Sequence, residues 1–357
     1  MFGKKVVGVD LSDFSLKICQ LKKRFNKIFF VKKRRVDFKE KMIEKGVVKK
    51  EKEKKLVEIL KKEIKLFSPK QKEIVATLPE EEAFLKVFSL PKVSFKELKE
   101  NISWEIEKIF PVKIDEMFFD WKIIEENEKE IKIATALISK KIVESYLSLF
   151  EKANLEVKIF EMESVASLWS VLKNFSSPEP VLILNLGKTG TNFLFFFKNA
   201  PYFSSRFDIS SDEIDKKISQ KMNVSLKEAE TLKKEYGLSF IQHHHYLSIS
   251  RIKMEKKIFE IISPLIKKLA NEIKSRLQYL SGLSEKEKEI KKIILCGGGA
   301  NLKGIDEYLE DLLKIKVEVA NPLINLSPPY PISAEEALSF TVCIGLCLRS
   351  LVKNDWI

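Results

Sequence analysis

The sequence predicts an α/β protein, and three segments support this prediction. The segments at 8–21 and 181–197 each combine a β-branched strand, a short polar turn and an apolar strand that returns. The segment at 293–313 is a β-branched strand that enters a glycine triplet and then a helix. Because the first two segments share one shape, we interpret them as copies of one unit, which indicates an internal duplication.

The composition is that of a folded chain with a basic surface. Of 357 residues, 45% are hydrophobic and 32% are charged, with 64 Lys+Arg against 51 Asp+Glu. This length suggests two or three domains, and the composition excludes disordered and collagen-like chains. Glutamates are interspersed with the lysines, which is typical of solvated helix faces, so we expect no nucleic-acid partner. The basic and aromatic stretch at 24–35 leaves contact with an anionic membrane open.

The sequence contains no targeting or membrane-spanning signal. No segment approaches the ~20 apolar residues that span a bilayer, and the N-terminus lacks the apolar core of a signal peptide. The four cysteines form no CxxC pair, so we expect buried free thiols at Cys19, Cys296, Cys343 and Cys347. We therefore expect a cytoplasmic protein.

The turn of the first unit lies beside an acidic and a basic residue. Asp10 stands at the end of the strand 6–10, and Lys17 lies on the returning strand. Backbone N–H groups of such a turn can contact a phosphate, with Lys17 directed toward it. Asp10 can hold Mg²⁺ through water, because this ion keeps several waters and takes few carboxylates.

The second unit repeats the first with one substitution. Its strand at 180–187 leads into a turn with Gly187 and Gly190, and Asn185 occupies the position that Asp10 holds in the first unit. Glycine at the end of a strand permits close approach of the backbone to a ligand. We therefore expect both turns to converge on one phosphate-bearing ligand.

The glycine triplet Gly297, Gly298 and Gly299 predicts a third loop at the same ligand. Amides at the start of the helix that follows can face a ribose or a phosphate. The dinucleotide fingerprint GxGxxG and the P-loop pattern GxxxxGK[ST] are both absent from the sequence. Their absence argues against a Rossmann dehydrogenase and a P-loop NTPase.

Together, the two strand–turn units and the GGGAxLxG pattern at 297–304 resemble the actin-like ATPase superfamily. Within it, the chain resembles the PilM family of type IV pilus assembly over almost its whole length. The segments 76–124, 138–169 and 334–351 resemble that family's inserted subdomain, connecting elements and closing helix. The resemblance implies a two-lobed actin-like fold, which is a duplicated ribonuclease H-like fold. A small α+β subdomain is inserted in the first lobe, and ATP and Mg²⁺ bind between the lobes.

The resemblance also implies domain boundaries, and the alternating strand at 82–90 with the amphipathic helix at 95–110 predicts a core for the insertion. We expect Trp104, Phe110 and Phe118 to form the core of the inserted subdomain. The expected ranges are 1–76, 139–178 and 333–357 for the first-lobe core, 77–138 for the inserted subdomain, 179–207 and 288–332 for the second-lobe core, and 208–287 for the second-lobe helical subdomain.

The nucleotide site implied by the resemblance draws on all three loops and one helix. The first two loops match phosphate loops, the glycine triplet matches an adenosine loop, and an AExxK pair on a helix matches residues that approach the adenosine. Without the family, that pair reads as a surface ion pair. The implied site residues are Asp10, which also holds Mg²⁺ through water, Ser12, Lys17, Asn185, Gly187, Thr189, Thr191, Glu230, Lys233, Gly297, Gly298 and Gly299.

The chain departs from the family pattern at several of these positions. The family usually has glycine where Ser12 stands and aspartate where Asn185 stands, and Ser210 and Ser211 replace a glycine pair. Glu161 is the best match to an acidic residue between the lobes. Because asparagine brings no charge, Mg²⁺ depends more heavily on Asp10. We therefore expect nucleotide binding with weak or absent hydrolysis.

The resemblance supplies a partner and leaves two alternative functions open. It implies that the groove between the first-lobe core and the inserted subdomain binds the N-terminal cytoplasmic peptide of PilN, a single-span membrane protein. PilN would hold the chain at the cytoplasmic face of the inner membrane, pilus motor ATPases are further partners, and a homo-oligomer stays open. The alternatives are an ATPase or small-molecule kinase of the same superfamily, and a membrane-associated filament protein similar to FtsA.

The remaining clusters suggest no other chemistry. His243, His244 and His245 are adjacent, and adjacent residues rarely face one metal ion, so we expect an exposed loop there. There is no GxSxG pattern and no Ser-His-Asp set beyond chance.

Overall fold

The computed structural model describes residues 3–239, 248–282 and 290–352. The histidine run discussed above lies outside these residues. The described part of the chain forms two lobes with a cleft between them and a small inserted subdomain. None of its helices is long and apolar enough to cross a bilayer.

The first lobe is built on a five-stranded sheet. Its strands form from Val-, Ile- and Leu-rich runs, because such side chains pack well on a pleated and buried surface. Its elements are β1 (Lys4–Ser12), β2 (Ser15–Arg24), β3 (Lys27–Asp37), β4 (Ile43–Glu44), β5 (Val47–Val48), α1 (Lys50–Phe67), β6 (Glu73–Leu78), α3 (Lys140–Lys152), β10 (Glu156–Met162), α4 (Glu163–Val171), α9 (Ala334–Ser339) and α10 (Thr341–Leu351).

The second lobe repeats this plan and adds the helices 211–222, 226–236 and 249–282. The last of these contains Pro264 and continues through it. Its elements are β11 (Val181–Leu186), β12 (Thr191–Phe197), β13 (Ala200–Phe207), α5 (Ser211–Met222), α6 (Leu226–Tyr236), α7 (Ile249–Gly282), β14 (Lys292–Cys296), α8 (Ile305–Leu313) and β15 (Lys316–Val319).

The strand order confirms the duplication. In the first lobe, β1, β2 and β3 form an antiparallel meander, and β6 and β10 continue the sheet in parallel on the other side of β1. In the second lobe, β11, β12 and β13 form the meander, and β14 and β15 continue in parallel beside β11. Asp10 and Asn185 therefore stand near the ends of equivalent strands.

The inserted subdomain consists of β7 (Ala83–Pro91), α2 (Phe95–Ile109), β8 (Met117–Glu126) and β9 (Glu130–Ser139). Leu98, Ile102 and Ile106 recur every four residues on α2 and are buried, which is the pattern of a helix packed on a sheet. Ser94 and Glu97 form a capping box that starts this helix.

The expected aromatic core of the inserted subdomain is correct for one residue and wrong for two. Phe110 is buried and contacts Phe84, with ring centroids 5.3 Å apart. Trp104 is 62% exposed and Phe118 is 45% exposed. Trp104 lies on the face of α2 that points away from the sheet, and Phe118 lies on β8, the outer strand of its sheet. These two rings are therefore available to solvent or a partner.

The inserted subdomain also joins the second lobe, a contact that the sequence pattern does not reveal. Strand β7 pairs with β13 at Lys86 and Phe203, so one eight-stranded sheet runs β15-β14-β11-β12-β13-β7-β9-β8. The Lys86 Nζ donates a hydrogen bond to the Tyr279 hydroxyl at 2.7 Å. The insertion therefore contacts both lobes, although in sequence it interrupts only the first.

Helices α4 and α10 pack closely at the base of the cleft. A Cβ atom added to Gly345 of α10 would lie 1.7 Å from the Ala166 carbonyl oxygen of α4. The four cysteines are free and buried, as the sequence predicts, and three of them lie where α10 crosses β1 and β2. This crossing fixes the first-lobe strand ends that border the cleft.

Candidate nucleotide cleft

The ends of β1, β11 and β14 meet at one cleft between the lobes. An inner compartment of about 140 Å³ lies between the two strand–turn units, and an outer compartment of about 920 Å³ lies toward α5, α6 and α8. Gly187, Lys188, Gly298 and Ser339 line both compartments, so the cleft is continuous. The volume of the outer compartment is in the range of small-molecule and cofactor sites.

The twelve nucleotide-site residues implied by the resemblance all line this cleft. The first set lines the inner compartment and comprises Asp10, Ser12, Lys17, Asn185, Gly187, Thr189, Gly297 and Gly298. The second set lines the outer compartment and comprises Gly187, Thr191, Glu230, Lys233, Gly298 and Gly299.

Asp10 and Lys17 face each other across the first hairpin. They are directly opposite in the β1–β2 register, and the Lys17 Nζ lies 3.0 Å from the Asp10 Oδ2. Asp10 is only 3% exposed, so its partner is an ammonium group in a largely dehydrated site. The Ser12 hydroxyl donates to the Ser15 carbonyl at 3.2 Å and helps close the turn.

Asn185 makes contacts on two sides. Its Nδ2 donates to the Ser167 hydroxyl of α4 at 3.1 Å. Its Oδ1 lies against the backbone of Gly297, where an added Cβ would be 2.2 Å away. Gly297 has a φ of +79°, which glycine adopts without steric cost. Asn185 therefore ties α4 to the glycine loop as well as lining the inner compartment.

The second turn is held mainly by its own backbone. The Gly187 N–H donates to the Gly190 carbonyl at 2.9 Å. The Thr191 hydroxyl is fully buried and donates to the Ile209 carbonyl at 2.7 Å. Thr189 accepts a weak hydrogen bond from the Arg206 guanidinium at 3.3 Å. Of the two threonines, Thr189 is therefore the one whose hydroxyl is nearer to charged groups of the inner compartment.

The Glu230 and Lys233 side chains line the outer compartment but do not pair with each other. The Lys233 Nζ lies 2.7 Å from Asp215 Oδ1 and donates to the Ser211 hydroxyl at 2.8 Å. Glu230 instead pairs with Lys234 at 2.6 Å. Lys233 therefore fixes α6 to α5.

The serine that precedes Ser211 has a structural role of its own. The Ser210 hydroxyl accepts a hydrogen bond from the Glu213 N–H at 3.3 Å and caps α5. The replacement of the family's glycine pair therefore supplies a helix cap at this edge of the cleft.

Glu163 is a cleft residue that the sequence reading missed. It is the first residue of α4, lines the inner compartment, and accepts a hydrogen bond from the Asn192 Nδ2 at 2.7 Å. Burial raises its pKa to about 7, an effect that the nearby Arg206 partly offsets and the Asp10 carboxylate reinforces. An acidic residue between the end of a strand and the start of a helix is the signal that could have identified it.

Glu161, the residue matched to the acidic position, points elsewhere. Its carboxylate lies 3.3 Å from the Arg349 guanidinium of α10 and is not among the groups that line the cleft. Burial raises its pKa to about 7, and the Asp120 carboxylate of the inserted subdomain contributes to that rise. Within this region, Glu163 rather than Glu161 is the acidic residue of the cleft.

A second missed group links the cleft to the start of the inserted subdomain. Arg206 lines the inner compartment, and its Nη2 lies 3.2 Å from Glu81 in the segment between β6 and β7. The neighbouring Glu80 is buried and accepts a hydrogen bond from the Ser164 N–H at the start of α4, at 3.3 Å. Burial raises the pKa of Glu80 to about 8. Both carboxyls therefore connect the segment that leads into the insertion to the cleft walls.

The side chains of the cleft suit Mg²⁺ that is bound through water molecules and ligand phosphates. No group of three or more His, Cys, Asp or Glu side chains that could hold a metal occurs in the described ranges. Asp10 offers one carboxylate beside the two turns, and Mg²⁺ is commonly held by one or two carboxylates, waters and ligand phosphates. The chain therefore suits a magnesium ion that arrives with a phosphate ligand and contacts Asp10 through water.

A family model described as type IV pilus assembly protein PilM matches residues 8–351. A solved structure described as a PilM–PilN type IV pilus biogenesis complex is 20% identical, with a TM-score of 0.79, and the match covers 97% of this chain and 98% of that chain. The fold class inferred from the sequence is confirmed by this likeness.

Two further solved structures share the actin-like fold at lower similarity. The ethanolamine utilization protein EutJ from Carboxydothermus hydrogenoformans is 13% identical with a TM-score of 0.58, covering 98% of this chain and 90% of that chain. MreB5 of Spiroplasma citri, bound to AMPPNP, is 13% identical with a TM-score of 0.57, covering 96% and 94%. At these identities the likeness establishes the fold alone.

Proposed function

This chain belongs to the PilM family of type IV pilus assembly proteins, and from that premise we propose that it is a cytoplasmic ATP-binding scaffold of pilus assembly. It binds the N-terminal cytoplasmic peptide of a PilN-like inner-membrane protein and links that protein to the pilus motor. The observation that carries the proposal is the continuous cleft between the lobes, which all the expected nucleotide-site residues line.

The shape of the cleft supports a nucleotide as its ligand. The inner compartment is small and is bordered by the turn at 12–15 and the turn at 187–190, and such strand-end turns suit phosphates. The outer compartment is larger and is bordered by Gly298, Gly299 and Lys233, which suits a nucleoside. A relative of the same fold, MreB5, was solved with the ATP analogue AMPPNP.

The charges of the inner compartment support slow or absent hydrolysis. The Asp10 carboxylate is paired with Lys17, and Asn185 contributes an amide where a second carboxylate would add negative charge. Mg²⁺ bound with ATP neutralises phosphate charge. Asp13, Asp37 and Glu81 also line this compartment, and each of them pairs with a cation. The Glu163 carboxylate accepts a hydrogen bond from Asn192, which holds it against the wall of the cleft. The cleft is therefore better built to hold a nucleotide than to activate water.

Two edge strands support the peptide groove. Among the described residues, strand β8 ends the eight-stranded sheet and β10 ends the first-lobe sheet, so each has one backbone edge without a described strand partner. Phe118 of β8 lies near the first lobe, with the Lys140 Nζ 5.6 Å from its ring. The Asp120 carboxylate of β8 contributes to the raised pKa of Glu161 on β10. An extended peptide can add to such edges through its main chain and fill an apolar pocket.

Glu163 favours one alternative, a kinase or ATPase of the same superfamily. A kinase needs a carboxylate base beside the substrate hydroxyl, and a pKa near 7 suits that role. Phosphate transfer in a screen of small metabolites would support this alternative. The filament alternative, similar to FtsA, has no specific contact in its favour.

Asp10→Asn tests the proposed cleft because it removes the charge and keeps the shape. We expect calorimetry to show saturable Mg-ATP binding by the wild type and about tenfold weaker binding by the variant, since a charge-assisted contact contributes about 1.5–3 kcal/mol. Chelation of Mg²⁺ should weaken ATP binding by the wild type and change little in the variant. Asp311→Asn, at an exposed ion pair with Lys314, is the matched control.

The same samples test the scaffold role against the enzyme role. The pure protein is expected to turn over ATP slowly or not at all. Robust Mg²⁺-dependent turnover without partners would contradict the scaffold, and equal Mg-ATP affinity in wild type and Asp10→Asn would contradict the assigned metal position.

A further inference from the structure

The tip of the β2–β3 hairpin carries an exposed aromatic ring. Strand β2 ends at Arg24 and β3 begins at Lys27, so Phe25 and Asn26 form the turn. Phe25 is 77% exposed, and its φ of +53° lies in the left-handed region that bulky side chains rarely adopt. Neither core packing nor turn geometry accounts for phenylalanine at this position.

The cations beside Phe25 lie opposite one another in the sheet. Lys5 pairs in register with Lys22, and Arg24 pairs with Lys27. Like charges placed directly opposite destabilise a sheet. Within the described part of the chain, none of these four forms an ion pair with a carboxylate. Their arrangement therefore favours an anionic ligand outside the chain.

Other cations on the same strands are accounted for by contacts within the protein. Lys33, Arg34 and Arg35, farther along β3, each pair with a carboxylate. Lys4 and Lys23 donate hydrogen bonds to carbonyl oxygens at the end of α10, at 2.9 and 3.1 Å. The unpaired charge of this basic stretch is thus concentrated at the hairpin tip, around the exposed ring.

We propose that the hairpin tip, Arg24–Lys27 with Lys5 and Lys22, contacts an anionic phospholipid bilayer directly. The cations meet the headgroups, and the Phe25 ring enters the boundary between headgroups and acyl chains. A convex tip with one apolar apex and cations behind it fits a planar surface into which a side chain can insert. This contact is additional to the proposed recruitment through a membrane protein and does not depend on it.

The position of the tip leaves the cleft accessible. Strand β1 runs from Lys4, beside the tip, to Ser12 in the cleft. At ~3.3 Å per residue these ends are about 26 Å apart. A bilayer at the hairpin tip therefore lies at the opposite end of the first-lobe sheet from the inner compartment.

Co-sedimentation of the full chain with vesicles tests this proposal. The vesicles are phosphatidylcholine alone, or phosphatidylcholine with phosphatidylglycerol at about 7:3. We expect binding to the anionic vesicles only, and weaker binding at high salt because exposed charges are screened. Arg24→Gln with Lys27→Gln should reduce binding about tenfold or more, since each cation near such a surface contributes about a fivefold gain.

Phe25→Asn tests the ring separately. Asparagine tolerates a left-handed backbone, so this variant keeps the hairpin while removing the apolar apex. We expect binding to fall about fivefold or more, by the loss of one buried aromatic side chain. The matched controls are Lys61→Gln with Lys62→Gln on the exposed face of α1, and Trp104→Asn on α2. Both controls should bind as the wild type does.

A label on the turn reports insertion. Because the native cysteines are buried, Asn26→Cys can be labelled selectively with an environment-sensitive dye. Its emission should shift to the blue with anionic vesicles and stay unchanged with neutral ones. Absence of vesicle binding, equal binding to neutral vesicles, or unchanged binding by the two hairpin variants would overturn the proposal. Retention on heparin without vesicle binding would also overturn it and indicate a polyanion instead.

Discussion

Replacement of Gly345 by alanine is expected to destabilise the protein by about 3 kcal/mol or more, because one methyl group must separate two packed helices. The added Cβ would lie 1.7 Å from the Ala166 carbonyl oxygen, and that oxygen belongs to the backbone of α4, which cannot rotate away. Denaturant unfolding followed by circular dichroism measures the change. A variant within ~1 kcal/mol of the wild type would contradict the close packing of α4 and α10.

Gly298→Ala is the matched control for this prediction. Its added Cβ would meet only the Ser339 Cβ, at 3.8 Å, which is an ordinary contact. Its backbone is outside the left-handed region, so alanine fits there without strain. We expect its free energy of unfolding to remain within about 1 kcal/mol of the wild type.

Replacement of Gly297 by alanine is expected to weaken ATP binding at least about tenfold, which corresponds to about 1.4 kcal/mol. The added Cβ would lie 2.2 Å from Asn185 Oδ1 and 2.7 Å from the Leu186 carbonyl oxygen. To relieve this overlap, the glycine loop and the second turn must move apart, and both border the inner compartment. Titration calorimetry with Mg-ATP measures the loss.

Gly304→Ala separates this local effect from general backbone strain. Gly304 has a φ of +73°, close to that of Gly297, so alanine has a similar conformational cost there. Its nearest neighbour for an added Cβ is 3.4 Å away, and it does not line the cleft. We expect its ATP affinity to match the wild type. An equal loss in both variants would mean that the effect comes from stability and not from the cleft.

The fold was predictable because its signals are local. Each strand–turn–strand unit is a β-branched run interrupted by a polar turn, and a glycine triplet after a strand indicates a loop that needs positive φ or close approach of the backbone. Asp10, Asn185 and Gly297 follow directly from those runs, and the structure brings them to one cleft. The unit recurs in the second half of the sequence, which indicated an internal duplication. The equivalent strand orders of the two sheets agree with it.

Contacts between distant segments were not predictable in the same way. The pairing of Lys86 with Phe203 joins strands that are far apart in the chain, and no local sequence pattern indicates which strand either residue pairs with. Glu161 and Glu163 are two residues apart, and a change from strand to helix between them sends only Glu163 into the cleft. The sequence does not show at which residue the strand ends and the helix begins, so it does not show which of the two carboxylates points into the cleft.

Exposed aromatic residues were misread for a related reason. Trp104 and Phe118 were expected in a core because aromatic side chains usually fill one. Periodicity on α2 places Leu98, Ile102 and Ile106 on the buried face, and this excludes Trp104 from it. Phe118 lies in a segment with the alternating pattern of a strand. Its exposure follows from the position of that strand at the edge of the sheet, which the pattern does not reveal.

Two exposed aromatic residues of the inserted subdomain provide a matched test of the proposed peptide groove. Phe118→Ser removes an exposed ring from β8, beside the proposed groove, and Trp104→Ser removes a more exposed ring from the outer face of α2. We expect the first to weaken peptide binding and the second to leave it unchanged. Equal behaviour of the two variants would place the peptide elsewhere on the surface.

The measurement that tests the central claim most directly is a calorimetric titration of this chain with the N-terminal peptide of its cognate PilN-like protein, with and without Mg-ATP. The account predicts saturable binding that depends on Phe118. It also predicts an affinity that changes with nucleotide, because Arg206 and Glu81 join the cleft to the insertion and such coupling is reciprocal. An absence of peptide binding under both conditions would contradict the scaffold account.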